Sequence, residues 1–204
     1  MEIISKVNWV DILSLILLLR ISYVSFQGGL SHELFSLLGT FFNLVISIHY
    51  YAKIGAFISD IITGFPIELS NFFSFLMLTI SFGLLFRLLR AILDKVIKIQ
   101  WHPVIEAIGG MTAGVAKSCL AISLVLITLI LLPLPYMQWS IRDKSLTGMF
   151  FLRIGPTVYA KSHKFIPVVA RGEPIDVDGF VKEISADKSL GPVRDRARTP
   201  REES

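Results

Sequence analysis

Over most of the first two thirds of this chain, hydrophobic positions do not alternate with polar ones but run on unbroken. Four apolar stretches, at residues 7–26, 34–52, 72–93 and 108–132, are separated only by short polar segments. About 20 apolar residues in a helix, each rising ~1.5 Å, cross a hydrocarbon core ~30 Å thick. Only helices and closed barrels satisfy their backbone polar groups in lipid, and continuous runs without a period of two make these stretches helices. A soluble bundle would keep a polar face on each helix, and residues 124–132, LVLITLILL, have none. The pattern predicts an all-α membrane protein with four transmembrane helices.

The residues between the stretches say where each helix stops. Gly28-Gly29 breaks the chain in a turn at 27–31, and Ser31 with Glu33 suits the positive end of the second helix. Tyr50-Tyr51 closes that helix at headgroup level, and a loop over 53–71 contains Gly64-Phe65-Pro66. Helix three is expected to run on past the membrane edge through 85–99. There Arg87, Arg90, Asp94 and Lys98 share an arc of roughly 80°, opposite Leu89, Ile92, Leu93, Val96 and Ile99. This reads as an interfacial amphipathic helix after helix three, its basic side chains reaching back to the headgroups. Trp101-His102-Pro103 ends it. Pro133 and Pro135 end helix four, with Tyr136 and Trp139 beside them as interfacial aromatics. Residues 1–170 form one membrane domain. Residues 171–204 form a short polar C-terminal tail, rich beyond Ser185 in Lys, Arg, Asp, Glu and Pro, that is expected to be disordered.

Composition agrees with the pattern: 53% of the 204 residues are hydrophobic, and mean hydropathy is +0.65. The net charge of +4 would suggest nucleic acid in a soluble protein. Here the basic residues crowd the span edges, where they face anionic lipid, so no nucleic-acid partner is expected. The single cysteine, Cys119, lies inside the fourth stretch and cannot form an internal disulfide. Lys6 ahead of the first stretch imitates a secretory signal, but no small-x-small site follows it, and the stretch reads as a retained span. Arg20, Arg87, Arg90, Lys95 and Lys98 flank the first and third loops. By the positive-inside rule those loops are cytoplasmic and both termini periplasmic.

Small residues four apart mark helix-packing faces, because lipid is as apolar as leucine and only close backbone approach favours association. Gly110, Gly114 and Ser118 form one such face, and Gly39, Asn43 and Ser47 form another. The two are expected to pack on each other. Lys117 lies well inside the fourth stretch, where an unpaired charge costs ~2.5–3.5 kcal/mol. It is either a functional charge or the cytoplasmic edge of a shorter span over 118–135. Asp11, within one turn of an interface, has the same two readings. His32, His49, His102 and His163 are scattered without metal-ligand spacing, and no nucleophile elbow, phosphate loop or dinucleotide fingerprint appears. No metal, cofactor or catalysis is expected.

Taken in order, Trp9-Val-Asp11, Gly29 and Glu33, His49-Tyr50-Tyr51, and Glu106 with Gly110-x-x-x-Gly114-x-x-Lys117 form a set that resembles the CvpA family. These are the colicin V production proteins of bacterial inner membranes, and the likeness covers about residues 7–165. The resemblance implies four membrane helices, a cytoplasmic-membrane location and a role in producing or exporting a peptide toxin, with wider envelope roles. It implies no enzyme, since family members are not known as enzymes. The chain departs from the family pattern at Gly28-Gly29, where an Arg-Gly pair is usual. It departs again at His32-Glu33, where a basic residue usually precedes the acid, and at Glu106-Ala107, where an acidic-basic pair is common. The function expected on this basis is that of a membrane interaction or assembly subunit supporting toxin production, secretion or envelope homeostasis. Its partners would be membrane lipid and either other inner-membrane proteins or further copies in a homo-oligomer. The competing reading is a small transporter or channel, with Lys117 and Asn43 lining one polar cavity.

Overall fold

The computed structural model describes residues 8–62, 64–96 and 102–162, and every regular element among them is helical. The order is α1 (Trp9–Ile61), α2 (Ile67–Val96), α3 (Pro103–Leu131), α4 (Pro135–Trp139), a π-helical turn (Ser140–Lys144) and α5 (Gly148–Ser162). The interval 171–204, Lys98 and Trp101 lie outside the described residues.

Helix α1 starts on a reciprocal cap. The Asn8 side chain accepts from the Trp9 N–H at 2.7 Å, and Asp11 accepts from the Asn8 N–H at 3.0 Å. Were it straight, a helix of 53 residues would extend about 80 Å, far beyond a bilayer. It is not straight, because Gly29 has φ 75° and ψ 167°, a conformation open to glycine and strained for any other residue. The contacts on either side of Gly29 show a reversal. Along α3, Gly110 meets Gly29 and Ser25, and Gly114 meets Ser25 and Ser22, so α3 runs antiparallel to residues 9–28. Glu33 then joins Lys117, while Leu44 and Ser123 both border Gly155, so residues 30–61 run along α3 in its own direction. The turn expected over 27–31 is therefore compressed into one residue. No polar loop is needed where a glycine can reverse the chain by itself.

Three helices are long and apolar enough to cross a membrane: Trp9–Ile61, Ile67–Leu93 and Val104–Leu131. Half of the most apolar window of α3 is buried, against 17% for α1 and 11% for α2, which makes α3 the central helix. Helix α2 exposes Phe73, Met77, Ile80, Leu84 and Leu88, one stripe at helical spacing. Serines 14, 25, 74, 118 and 123 are buried instead. An apolar exterior over small polar contacts is the reverse of a soluble bundle and suits helices surrounded by lipid.

One boundary differs from expectation. Helix continues to Ile61 and resumes at Ile67, so the loop expected over 53–71 shrinks to a few residues. The basic arc at Arg87 and Arg90 lies on the end of α2 itself, which is continuous to Val96. Helix α5 was not expected at all. Gly148, Gly155 and Pro156 disguise it in the sequence, yet it buries Phe151, Leu152 and Tyr159.

Candidate functional site

Carboxylates join the helices at two places. At the N-terminal end of α1, Asp11 receives the loop that leads into α5. Its Oδ1 accepts from Ser145 Oγ at 2.7 Å, the Thr147 N–H at 2.9 Å and Thr147 Oγ1 at 2.7 Å. Its Oδ2 accepts from Leu146 N–H at 3.3 Å, besides the cap bond to Asn8. Trp9 Nε1 donates to Ser140 Oγ at 2.6 Å, and Asn8 Nδ2 donates to the Ser140 carbonyl at 2.8 Å. Ser145 in turn accepts from the Gly148 N–H at 2.8 Å, capping α5. This arrangement is a clamp, and Asp11 has no capacity left over for a ligand. Farther along, α5 donates the Gly155 N–H to Ser123 Oγ at 2.9 Å, and Tyr159 Oη meets His49 Nδ1 at 2.7 Å.

The second joint lies just inside the Gly29 reversal. Glu33 is wholly buried, its side chain 1% exposed, and it pairs with Lys117, whose side chain is 12% exposed. Gly110 packs at the level of the reversal, so Lys117, seven residues on, sits about 10 Å deeper. Removing two charges from water is offset only when they pair closely, and here each neutralises the other. Glu33 Oε1 has no hydrogen-bond partner among the described residues, and His32 Nδ1 stands 3.9 Å from it. The Arg90 guanidinium, on α2, meets the His32 ring. Glu106 packs on Gly29 so closely that a Cβ there would lie 2.7 Å from its Cγ.

The glycine face of α3 does approach another helix backbone, but not the expected one. Gly110 and Gly114 pack on Ser22, Ser25 and Gly29 of the first segment of α1. The Gly39/Asn43/Ser47 face packs on α2 instead. Asn43 Nδ2 donates to the Thr79 carbonyl at 3.1 Å, Ser47 Oγ donates to Asn43 Oδ1 at 3.3 Å, and Thr79 Oγ1 donates to Ser47 Oγ at 3.2 Å. Gly39 lies against the Phe86 ring. The reason is rotational. Glu33 and Asn43 are ten residues apart, which turns them roughly 80° around the helix, so one faces α3 and the other α2.

That rotation also separates Lys117 from Asn43. Asn43 lines a groove of about 480 Å³ between α1 and α2, together with Phe35, Gly39, Gly83, Phe86 and Arg87. Lys117 is not among its lining residues and points to Glu33. The two do not share a cavity. No group of three or more metal-ligating side chains occurs among the described residues.

Sequence reasoning singled out Asp11, Gly29, Glu33, Gly110, Gly114 and Lys117 without their partners. It missed Ser140, Ser145, Thr147 and Tyr159. The polar run Ser145-Leu-Thr147-Gly148 before an apolar segment was the available signal, since such runs start helices. A family model described as Colicin V production protein matches residues 10–155. No curated protein and no solved structure matches.

Proposed function

The chain belongs to the colicin V production protein family, and from that premise we propose that it is a non-catalytic assembly subunit of the bacterial inner membrane. In this reading it supports the production or export of a colicin V-like peptide, and envelope homeostasis with it. The observation that carries it is how the chain uses the ionisable groups at its helix contacts. Asp11 is saturated by the loop before α5, and Glu33 is joined to Lys117. Both hold helices together and neither lines the groove between α1 and α2, which is the arrangement of a scaffold rather than of a site that turns over substrate. The transporter reading loses its motivation, because Lys117 and Asn43 belong to different helix contacts.

The chain crosses the membrane four times: twice in α1, on either side of Gly29, and once each in α2 and α3. The reversal at Gly29 supports that count. Arg20, Arg87 and Arg90 then lie toward the cytoplasmic face, and both termini are periplasmic. A reporter fused after Ser204 and active only in the cytoplasm overturns the topology. The role is tested in cells that carry a colicin V-type toxin system. Deleting the chain should lower released toxin, and supplying it should restore release. Unchanged release in the deletion strain overturns the assignment.

A further inference from the structure

His32 stands between a cation on α2 and a carboxylate on its own helix, and the two make opposite demands on its ring. Arg90 Nη2 reaches both ring nitrogens of His32. A guanidinium can only donate hydrogen bonds, so the nitrogen that meets it must offer a lone pair. A protonated imidazole carries N–H at both nitrogens and has no lone pair to offer. The Arg90 contact therefore requires a neutral His32.

Glu33 favours the opposite state. Lys117 takes its Oε2, while Oε1 is buried and has no hydrogen-bond partner among the described residues. His32 Nδ1 stands 3.9 Å from that oxygen, and a shift of about 1 Å would bring it within hydrogen-bond reach. A buried acceptor left unpaired is costly, so a protonated His32 has a ready acceptor. Gly28 leaves the ring its space, since a Cβ there would stand 2.7 Å from His32 Nδ1 and 3.6 Å from Glu33 Oε1. Arg87 lines the same groove as Arg90 on α2, and on α3 Lys117 approaches through Glu33 while Glu106 packs on Gly29. The His32 side chain is 38% exposed, so protons reach it without the helices parting. Histidine is the side chain that ordinarily changes charge between about pH 5 and 8.

We propose that His32 is a proton-operated latch between α1 and α2. When a proton binds, one ring N–H turns to Glu33 Oε1, and the ring, now a cation, repels Arg90. Arg90 lines the groove between α1 and α2, so losing its hold on His32 lets the end of α2 move off and widens the groove. Lys117 keeps Glu33 Oε2 in both states, so the contact of α1 with α3 persists. Loss of the proton restores the Arg90 contact. The latch rests on neither the toxin-related role nor the topology.

The test uses the full chain in mild detergent with Cys119→Ala, spin-labelled at Ser36→Cys and Ala91→Cys, one on each wall of the groove. Double electron–electron resonance reads the distance between the labels from about pH 8 to about pH 5. The distance should lengthen as the pH falls. His32→Gln cannot gain a charge and Arg90→Gln has none to repel, so each should keep the short distance throughout. Arg20→Gln removes an exposed arginine from outside the groove and should leave the pH response intact. A distance that does not change with pH, or a change that survives both His32→Gln and Arg90→Gln, overturns the proposal. A lengthening that comes with loss of helical content is acid unfolding rather than a latch, and overturns it as well.

Discussion

Glu33 and Lys117, 84 residues apart in the chain, form a buried ion pair where the two segments of α1 and the body of α3 come together. Removing either partner strands the other as an uncompensated charge, which costs about 3–5 kcal/mol. Glu33→Met and Lys117→Met should each lower unfolding stability in detergent by that order, while the double variant recovers most of it. Additive losses in the double-mutant cycle would show that the two side chains do not interact.

Asp11 should prove structural. Asp11→Ala removes the acceptor for four donor groups of the loop at 145–147 besides the cap bond, and charge-assisted bonds are worth about 1.5–3 kcal/mol each at most. The expected result is loss of amide-exchange protection across α5, with α2 unchanged. Asp11→Asn, which keeps one carbonyl oxygen, should lose less. Uniform loss of protection over all helices, or no loss in α5, would contradict the clamp.

Two glycines set how closely α3 approaches the reversal. At Gly29 any side chain meets both a strained backbone, at about 1–3 kcal/mol, and the Glu106 side chain. At Gly114 a Cβ would lie 2.3 Å from Ser25 Cβ, so Gly114→Leu must push the helices apart. Both Gly29→Ala and Gly114→Leu should lower folded yield in detergent well below that of Leu88→Ala, a change on the exposed stripe of α2. Equal yields for all three would leave the glycine contacts without a structural role.

The residues that resemble the family pattern turn out to be the residues at the joints. Trp9 and Asp11 bind the 140–147 segment, Gly29 and Glu33 meet α3, and His49 meets Tyr159. Their identities stood out in the sequence because each is locally anomalous: a carboxylate at the start of an apolar run, a glycine pair between two runs, a lysine inside one. Their partners did not stand out, since serine, threonine and tyrosine are unremarkable anywhere. The Asp11 contacts span 134 to 136 residues. Helix α5 stayed hidden for a related reason. Glycine and proline weigh against helix in any local reading, whereas here Gly155 is the residue that lets α5 press against Ser123 and Leu44.

By itself, then, the sequence determined the helical class, the membrane-length apolar runs and the positions of the breakers. All of these follow from interactions within a turn or two of helix and from the length of a bilayer. Which faces meet was decided only by the tertiary structure. Both small-residue faces are equally suited to close packing, and pattern alone paired them with each other. The angle of about 80° between Glu33 and Asn43, together with the chain reversal at Gly29, sends one face of α1 to α3 and the other to α2. Small-residue packing is short-ranged and unselective, so the choice of partner rests on the path of the whole backbone.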